Sequence, residues 1–217
     1  SASSTAASAS STAAPAEKKQ FTFADTVRWD AQYDVVVMGM GAAGMVAAKT
    51  AADNGAKVVI VEKCEEGKAG GNTKVCGQLF AYANGDKDAA KSYYTALAGG
   101  RDIEPEIIDA ISEGVANMAD ILADEFGFNK DEYMDWTGVN VGGTNMGAMS
   151  PEYPEMPGHE KMALWTTHAG ASDGYLYQGL KQNVTDRVDA IDVWYSSPAK
   201  SLIQDPVTRR SWALPWS

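Results

Sequence analysis

Tyr33-Asp34-Val35-Val36-Val37-Met38-Gly39-Met40-Gly41-Ala42-Ala43-Gly44, followed by Val58-Val59-Ile60-Val61-Glu62-Lys63, decides the fold of this 217-residue chain. The apolar run Val35 to Met38 lacks alternation, which suits a parallel strand buried on both faces. Gly39 turns the chain, Gly41 has no Cβ and lets a pyrophosphate approach the backbone, and Gly44 lets the next helix pack closely on the strand. The pattern predicts that helix over about 42–54, ended by Asn54-Gly55, and a second buried strand over 57–61. Amides at the helix N-terminus have no intrahelical partner and carry partial positive charge, so an anion is stabilised there. Glu62 closes the second strand 18 residues beyond Gly44, where a carboxylate accepts hydrogen bonds from ribose hydroxyls and repels a 2′-phosphate. Strand, glycine turn, helix, strand and terminal acid in this order indicate an α/β, dinucleotide-binding βαβ unit. The competing reading is a Rossmann-like turn that binds nothing, but the ordered set is hard to obtain by accident. NAD and FAD are both open at this point.

Outside that unit, composition excludes more than it assigns. A formal net charge of −11 argues against a nucleic-acid or anionic-membrane surface, which needs clustered Lys and Arg. No apolar stretch reaches membrane length and none has the form of a signal core. Residues 1–20 are mostly Ser, Ala and Thr, cannot bury enough apolar area to offset their ordering entropy, and are expected to form a disordered tether. With the absence of an initial Met, this composition suggests an exported or cell-envelope protein processed upstream; an expression product or partial record explains it almost as well, and a cytoplasmic chain is the alternative. Cys64 and Cys76 have no metal-ligand spacing and are read as small buried thiols.

After Lys63 the chain enters a glycine-rich loop that turns polar, Gly70-Gly71-Asn72-Thr73-Lys74-Val75-Cys76-Gly77-Gln78. Backbone that must lie against a flat ring benefits from absent side chains, and Asn or Thr adds short hydrogen-bonding groups. Alone, this loop would read as ordinary surface. The order MGMGAAGMVAA, VVIVEK, AGGNTKVCGQ, however, resembles the flavoprotein group of fumarate reductase and succinate dehydrogenase flavoprotein subunits, flavocytochrome c fumarate reductases, urocanate reductase and 3-oxosteroid dehydrogenases. The resemblance implies a Rossmann-like FAD-binding domain with a parallel sheet, and FAD as cofactor. It places the pyrophosphate at Gly39, Gly41, Ala42, Ala43 and Gly44, and the adenosine ribose at Glu62 with Lys63 beside it. Gly71, Asn72, Thr73, Gly77 and Gln78 then run along the pyrophosphate, ribityl chain and isoalloxazine edge. Relatives often carry two small residues at the last pair, and Gln78 departs from that.

Further along, helices are expected over 88–98 and from Glu104-Pro105 to about Glu125, with Pro at the first turn where a missing amide hydrogen is harmless. Ile107, Ile108, Ile111, Val115, Met118, Ile121 and Leu122 form the predicted core stripe of the second helix. Residues 127–172 lack periodicity and are expected to be a long loop facing a ligand. That stretch holds Gly142-Gly143, Pro151, His159 and His168, whose spacing gives neither histidine a partner, so both read as ordinary exposed or packed residues. A helix over 174–183 and a strand over 191–195 follow. The stretch 198–205 resembles the family strand in which backbone groups at Ala199 meet adenine.

Another strand is expected after Arg210, but Ser211-Trp212-Ala213-Leu214-Pro215-Trp216-Ser217 is a poor match to it. One set of codons for these residues, TCG TGG GCG TTG CCG TGG AGC, preceded by one G reads Val-Val-Gly-Val-Ala-Val-Glu, the type of strand expected. Residues 31–210 are therefore taken as the N-terminal part of the FAD-binding domain, incomplete at the C-terminus, and 211–217 as an out-of-frame tail created by a one-base deletion. The resemblance implies that the substrate-binding Arg and His residues lie in later parts of the family's chain, so no catalytic residue is assigned and no metal is expected. The expected protein takes electrons from a donor redox protein and reduces an activated C=C bond of a small molecule. An oxosteroid-type flavin dehydrogenase and a non-catalytic or decayed nucleotide-binding fragment are the alternatives. Residues 1–217 alone are expected to aggregate or to bind FAD weakly.

Overall fold

The glycine turn and its flanks fold as β1 (Val35–Met38), α1 (Ala42–Asp53) and β2 (Val58–Val61). The remaining elements are α2 (Gly71–Val75), β3 (Phe80–Tyr82), α3 (Lys87–Leu97), α4 (Pro105–Phe126), β4 (Met134–Asp135), β5 (Asn140–Val141), β6 (Thr144–Asn145), β7 (Ala163–Thr166), α5 (Tyr175–Thr185), β8 (Ile191–Trp194), β9 (Ile203–Gln204) and β10 (Ser211–Trp212). The computed structural model describes residues 23–137, 140–141, 144–145, 153–170, 172–209 and 211–212. The expected tether at 1–20, Gly142, Gly143 and Pro151, and residues 213–217 of the expected tail lie outside these.

β2 is the centre of a three-stranded parallel sheet, with β1 on one side and β8 on the other. Val35 lies opposite Val58, and Val58 opposite Ile191. All four residues of β2 are buried, and each fully buried Val or Ile contributes about 1.5–3 kcal/mol. β1 differs from its sequence reading. It pairs with a single strand among the described residues, so Val35, Val36 and Val37 are half-buried and Met38 is exposed. A continuous apolar run signals a parallel strand but does not separate a central strand from an edge one. Tyr33 spans the sheet below β2, its hydroxyl donating to the Asp192 carboxylate.

Residues 127–172 are not the unstructured loop expected. β7 is the middle strand of an antiparallel sheet with β3 and β4, and β5 and β6 form a further antiparallel pair. Strands of two to four residues are too short to register as periodicity. The core stripe of α4 is partly as expected, with Ile108 and Leu122 buried and Val115, Met118 and Ile121 packed against the core. The buried positions are Ile108, Ser112, Ala116, Ala119, Leu122 and Phe126, whereas Ile107 and Ile111 are 51% and 43% exposed. α4 packs on α3 and β3, and the turn after β3 approaches so closely that the Gly85 amide donates to the Ala116 carbonyl. Small residues suit that contact better than the bulkier isoleucines, a preference hydrophobicity alone does not reveal. A strand does return at the end of the described chain: β10 pairs antiparallel with β9, Ser211 opposite Gln204.

α1 packs on α5 and is tied by charge to the turn that follows it. Asp53 at the end of α1 accepts from Arg187 Nε at 2.6 Å and Nη2 at 3.1 Å, and from Lys49 Nζ at 2.8 Å. These hydrogen bonds, Arg187 first, hold the Asp53 carboxyl down at about 2 against an ordinary 3.8. A depressed carboxyl stabilises the fold above its unfolded value and loses that contribution as the pH falls through the folded one. Arg187→Ala should therefore lower the urea midpoint at neutral pH, and the gap from wild type should close as the pH approaches 2. The effect should stay under about 1 kcal/mol, because the Asp53 side chain is 40% exposed and solvent screens the pair. A gap that persists unchanged in acid would show that Arg187 acts through packing instead.

Candidate functional site

The glycine turn earns its three glycines for three reasons. Gly39 sits at φ +92°, in the left-handed region that side chains avoid. Gly44 faces the turn itself: a Cβ there would lie 2.0 Å from the Gly39 carbonyl oxygen. Gly41 is different, because a Cβ there would meet nothing closer than the Thr73 hydroxyl at 3.8 Å. Space is thus left beside Gly41 that the protein does not itself fill. The Ala42 amide donates to Thr73 Oγ1 at 2.9 Å, while the amides of Ala43 and Gly44 have no partner among the described residues. Two free amides at the start of a twelve-residue helix make a seat for an anion.

Glu62 follows β2 and is buried. One carboxylate oxygen accepts from the Met40 amide at 2.7 Å and the other from the Cys64 amide at 2.9 Å. Burial pushes its pKa up, but these amides and the nearby Lys63 charge outweigh it and hold the group below its ordinary 4.5. An ionised carboxylate has about four acceptor positions, so Glu62 can brace the glycine turn and still accept from hydroxyls. Lys63 is exposed beside it. The turn after β8 closes on the same place: Ser197 donates to the Glu62 carbonyl at 2.8 Å and Ser196 to that of Cys64 at 2.9 Å. Ala199 follows two residues later, exposed and outside any strand, unlike the strand its sequence suggested.

The polar loop folds as the short α2, entered through Gly70 at φ +119°. A Cβ at Gly70 would lie 2.5 Å from the Tyr177 ring, so this glycine seats α2 on α5. Gly71 and Asn72 are exposed, and Thr73 reaches α1 as described. Gly77 and Gln78 lie just beyond α2. The Gln78 side chain is buried, its amide nitrogen donating to the carbonyls of Thr73 at 2.7 Å and Cys76 at 3.1 Å, and its oxygen accepting from the Tyr177 amide at 3.2 Å. It clamps α2 to α5, leaving the Gln78 backbone, at φ +64°, as the part free to meet a ligand.

Both cysteines are free, and Cys76 is exposed rather than buried as its sequence suggested. His159 makes a local contact to the Met156 carbonyl. His168 has a partner the sequence did not reveal. Its Nε2 meets Asp173 Oδ2 at 2.6 Å, and its ring stacks on Tyr175 at 4.1 Å between centroids. The available signal was a His and an Asp five residues apart with glycines at 170 and 174. Among the described residues no cluster could hold a metal, and no helix is long and apolar enough to cross a membrane.

Comparison with known proteins matches residues 34–210 to a family described as FAD binding domain. NADH:fumarate oxidoreductase of Klebsiella pneumoniae is 29% identical over 181 residues, 79% of this chain and 17% of that protein. 3-oxosteroid 1-dehydrogenase of Mycobacterium tuberculosis is 40% identical over 86 residues, 36% of this chain and 15% of that protein. The chain thus spans less than a fifth of the length of these curated relatives. Among solved structures, a 3-ketosteroid-Δ4-(5α)-dehydrogenase of Rhodococcus jostii aligns with a TM-score of 0.61 at 20% identity, covering 85% of this chain and 42% of that one. The open conformation of a flavocytochrome c3 fumarate reductase aligns with a TM-score of 0.57 at 18% identity, covering 81% and 28%.

Proposed function

The chain belongs to the FAD binding domain family, and from that premise we propose that it is the cofactor-holding part of an oxidoreductase that reduces an activated carbon–carbon double bond in a small molecule. FAD is its cofactor, and when bound it supplies the two-electron redox chemistry. The protein's own groups bind and orient. The free amides of Ala43 and Gly44, beside the open face of Gly41, hold the pyrophosphate. Glu62 accepts from the adenosine ribose, with Lys63 and the backbone around Ala199 beside it. Gly71, Asn72, Thr73, Gly77 and the Gln78 backbone follow the ribityl chain towards the flavin ring. No residue of this chain is given a role in proton or hydride transfer.

The match to NADH:fumarate oxidoreductase carries the choice of reaction, because it runs over 79% of the chain. The higher identity to a 3-oxosteroid 1-dehydrogenase, over a shorter stretch, supports a second reading as a steroid-type flavin dehydrogenase. A donor redox protein as partner belongs to the first reading, and the Ser-, Ala- and Thr-rich composition of residues 1–20 supports an exported protein. The full-length protein, assayed with fumarate, urocanate and enones under a reducing donor and with 3-oxosteroids under an oxidising acceptor, should give reduced products from the first set. Dehydrogenated steroid alone would transfer the assignment to the second reading. A purified protein that takes up no flavin would defeat both.

A further inference from the structure

Gln78 is polar, 1% exposed, and holds a backbone conformation that favours glycine, φ +64°. A side chain persists in the left-handed region where its surroundings over-determine it. Here they do so through the two ends of one amide. Nε2 donates to the Thr73 carbonyl at 2.7 Å and the Cys76 carbonyl at 3.1 Å, and Oε1 accepts from the Tyr177 amide at 3.2 Å. These partners sit where helices leave backbone groups unpaired. α2 stops at Val75, and among the described residues no backbone amide reaches the Thr73 carbonyl. Tyr177 is the third residue of α5, whose N-cap, Gly174, has no side chain to cap it. One glutamine therefore closes the C-terminal end of α2 and the N-terminal end of α5.

Thr73 carries that hold to the anion seat. Its hydroxyl accepts from the Ala42 amide at 2.9 Å and borders the open space beside Gly41, where a Cβ would lie 3.8 Å from it. A hydroxyl that accepts one bond still has its own hydrogen to donate, and among the described residues that hydrogen has no acceptor. α2 does little by itself to fix the group. It is five residues long and is entered through two glycines at positive φ, Gly70 and Gly71, and a helix that short has almost no stability of its own. The Thr73 peptide is held instead by Gln78, and through Gln78 by α5.

We propose that Gln78 is a positioning residue for bound FAD: through the Thr73 carbonyl it holds the Thr73 hydroxyl at the start of α1, where that hydroxyl donates to the cofactor pyrophosphate. The small residues that the resembled family often carries at this position have no side-chain amide to do this. The inference rests on the FAD site described above.

The test is titration of the cofactor-freed, full-length protein with FAD, for wild type, Thr73→Val, Gln78→Met, Gln78→Gly and Thr73→Val combined with each Gln78 variant. Met keeps the length of the side chain without its amide. Gly suits the left-handed backbone and keeps the fold should Met not be accepted, which unfolding midpoints check. Loss of one neutral hydrogen bond should weaken FAD binding by about 10-fold in Thr73→Val, and by about as much in either Gln78 variant. Because Gln78 acts through Thr73, the combined variants should bind no worse than Thr73→Val alone. Independent contributions would instead multiply to about 100-fold, and that result overturns the inference. So does a Gln78 variant that lowers the unfolding midpoint and binds FAD as wild type does, since glutamine would then be a clamp of the fold alone. Wild type that binds no FAD would overturn the cofactor site itself.

Discussion

Gly44→Ala should leave the first βαβ unit unable to close, whereas Gly41→Ala should leave it folded and unable to bind FAD. At Gly44 the added methyl would lie 2.0 Å from the Gly39 carbonyl oxygen and 3.2 Å from its carbon. Those are backbone atoms of the turn and cannot rotate away, so α1 must separate from β1. Overpacking of a tight contact costs about 3 kcal/mol at the upper end of its usual range, a large part of the net stability of a domain. At Gly41 the backbone is at φ −79°, comfortable for alanine, and the methyl would have 3.8 Å to its nearest neighbour. The protein tolerates it. The pyrophosphate does not, because the same methyl occupies its approach, and FAD affinity should fall about 100-fold, equivalent to ~2.7 kcal/mol. Denaturation midpoints separate the two variants from wild type, and FAD titration separates Gly41→Ala from its parent. Retained FAD affinity in Gly41→Ala would mean that the cofactor does not cross the turn at this point.

The contrast between those glycines shows what is legible in the sequence by itself. β1, α1 and β2 could be read because their signals are local: an apolar run, glycines at set intervals, a capping Asn54-Gly55 and an acid after the second strand. Glu62 was readable as a ligand for hydroxyls, but its grip on the Met40 amide joins residues 22 apart, and nothing in the pattern marks a carboxylate that braces the turn it serves. Gln78 shows the same limit more sharply. It departs from the small residues of its relatives, and the pattern does not show that its side chain is turned inward and satisfied by Thr73, Cys76 and Tyr177. Ser112, the most polar member of the buried face of α4, is fully buried because its hydroxyl returns to the Ile108 carbonyl one turn back. That bond removes the desolvation cost that makes serine read as exposed.

Glu62→Gln should weaken both the fold and the cofactor site, and acid should abolish the first difference. The glutamine oxygen can replace one carboxylate oxygen, but its NH2 group would then face the second backbone amide, donor against donor. Leaving one buried amide without an acceptor costs about 1–3 kcal/mol, so the denaturant midpoint should drop measurably at neutral pH. In the folded state the Glu62 pKa lies below its ordinary 4.5. Its stabilisation is therefore complete above the unfolded value and is lost as the pH falls through the lower folded one. Wild type and variant should converge over that acid range, because protonated Glu62 also carries a donor where an acceptor is wanted. FAD binding should weaken by about 10-fold or more, since hydrogen bonds to a charged acceptor contribute about 1.5–3 kcal/mol and the proposed ribose contacts lose it. Glu62→Asp adds a geometric control: a side chain one carbon shorter keeps the charge but cannot span the Met40 and Cys64 amides. If the aspartate variant matched wild type in stability and affinity, charge alone would suffice and the two-amide brace would carry no weight.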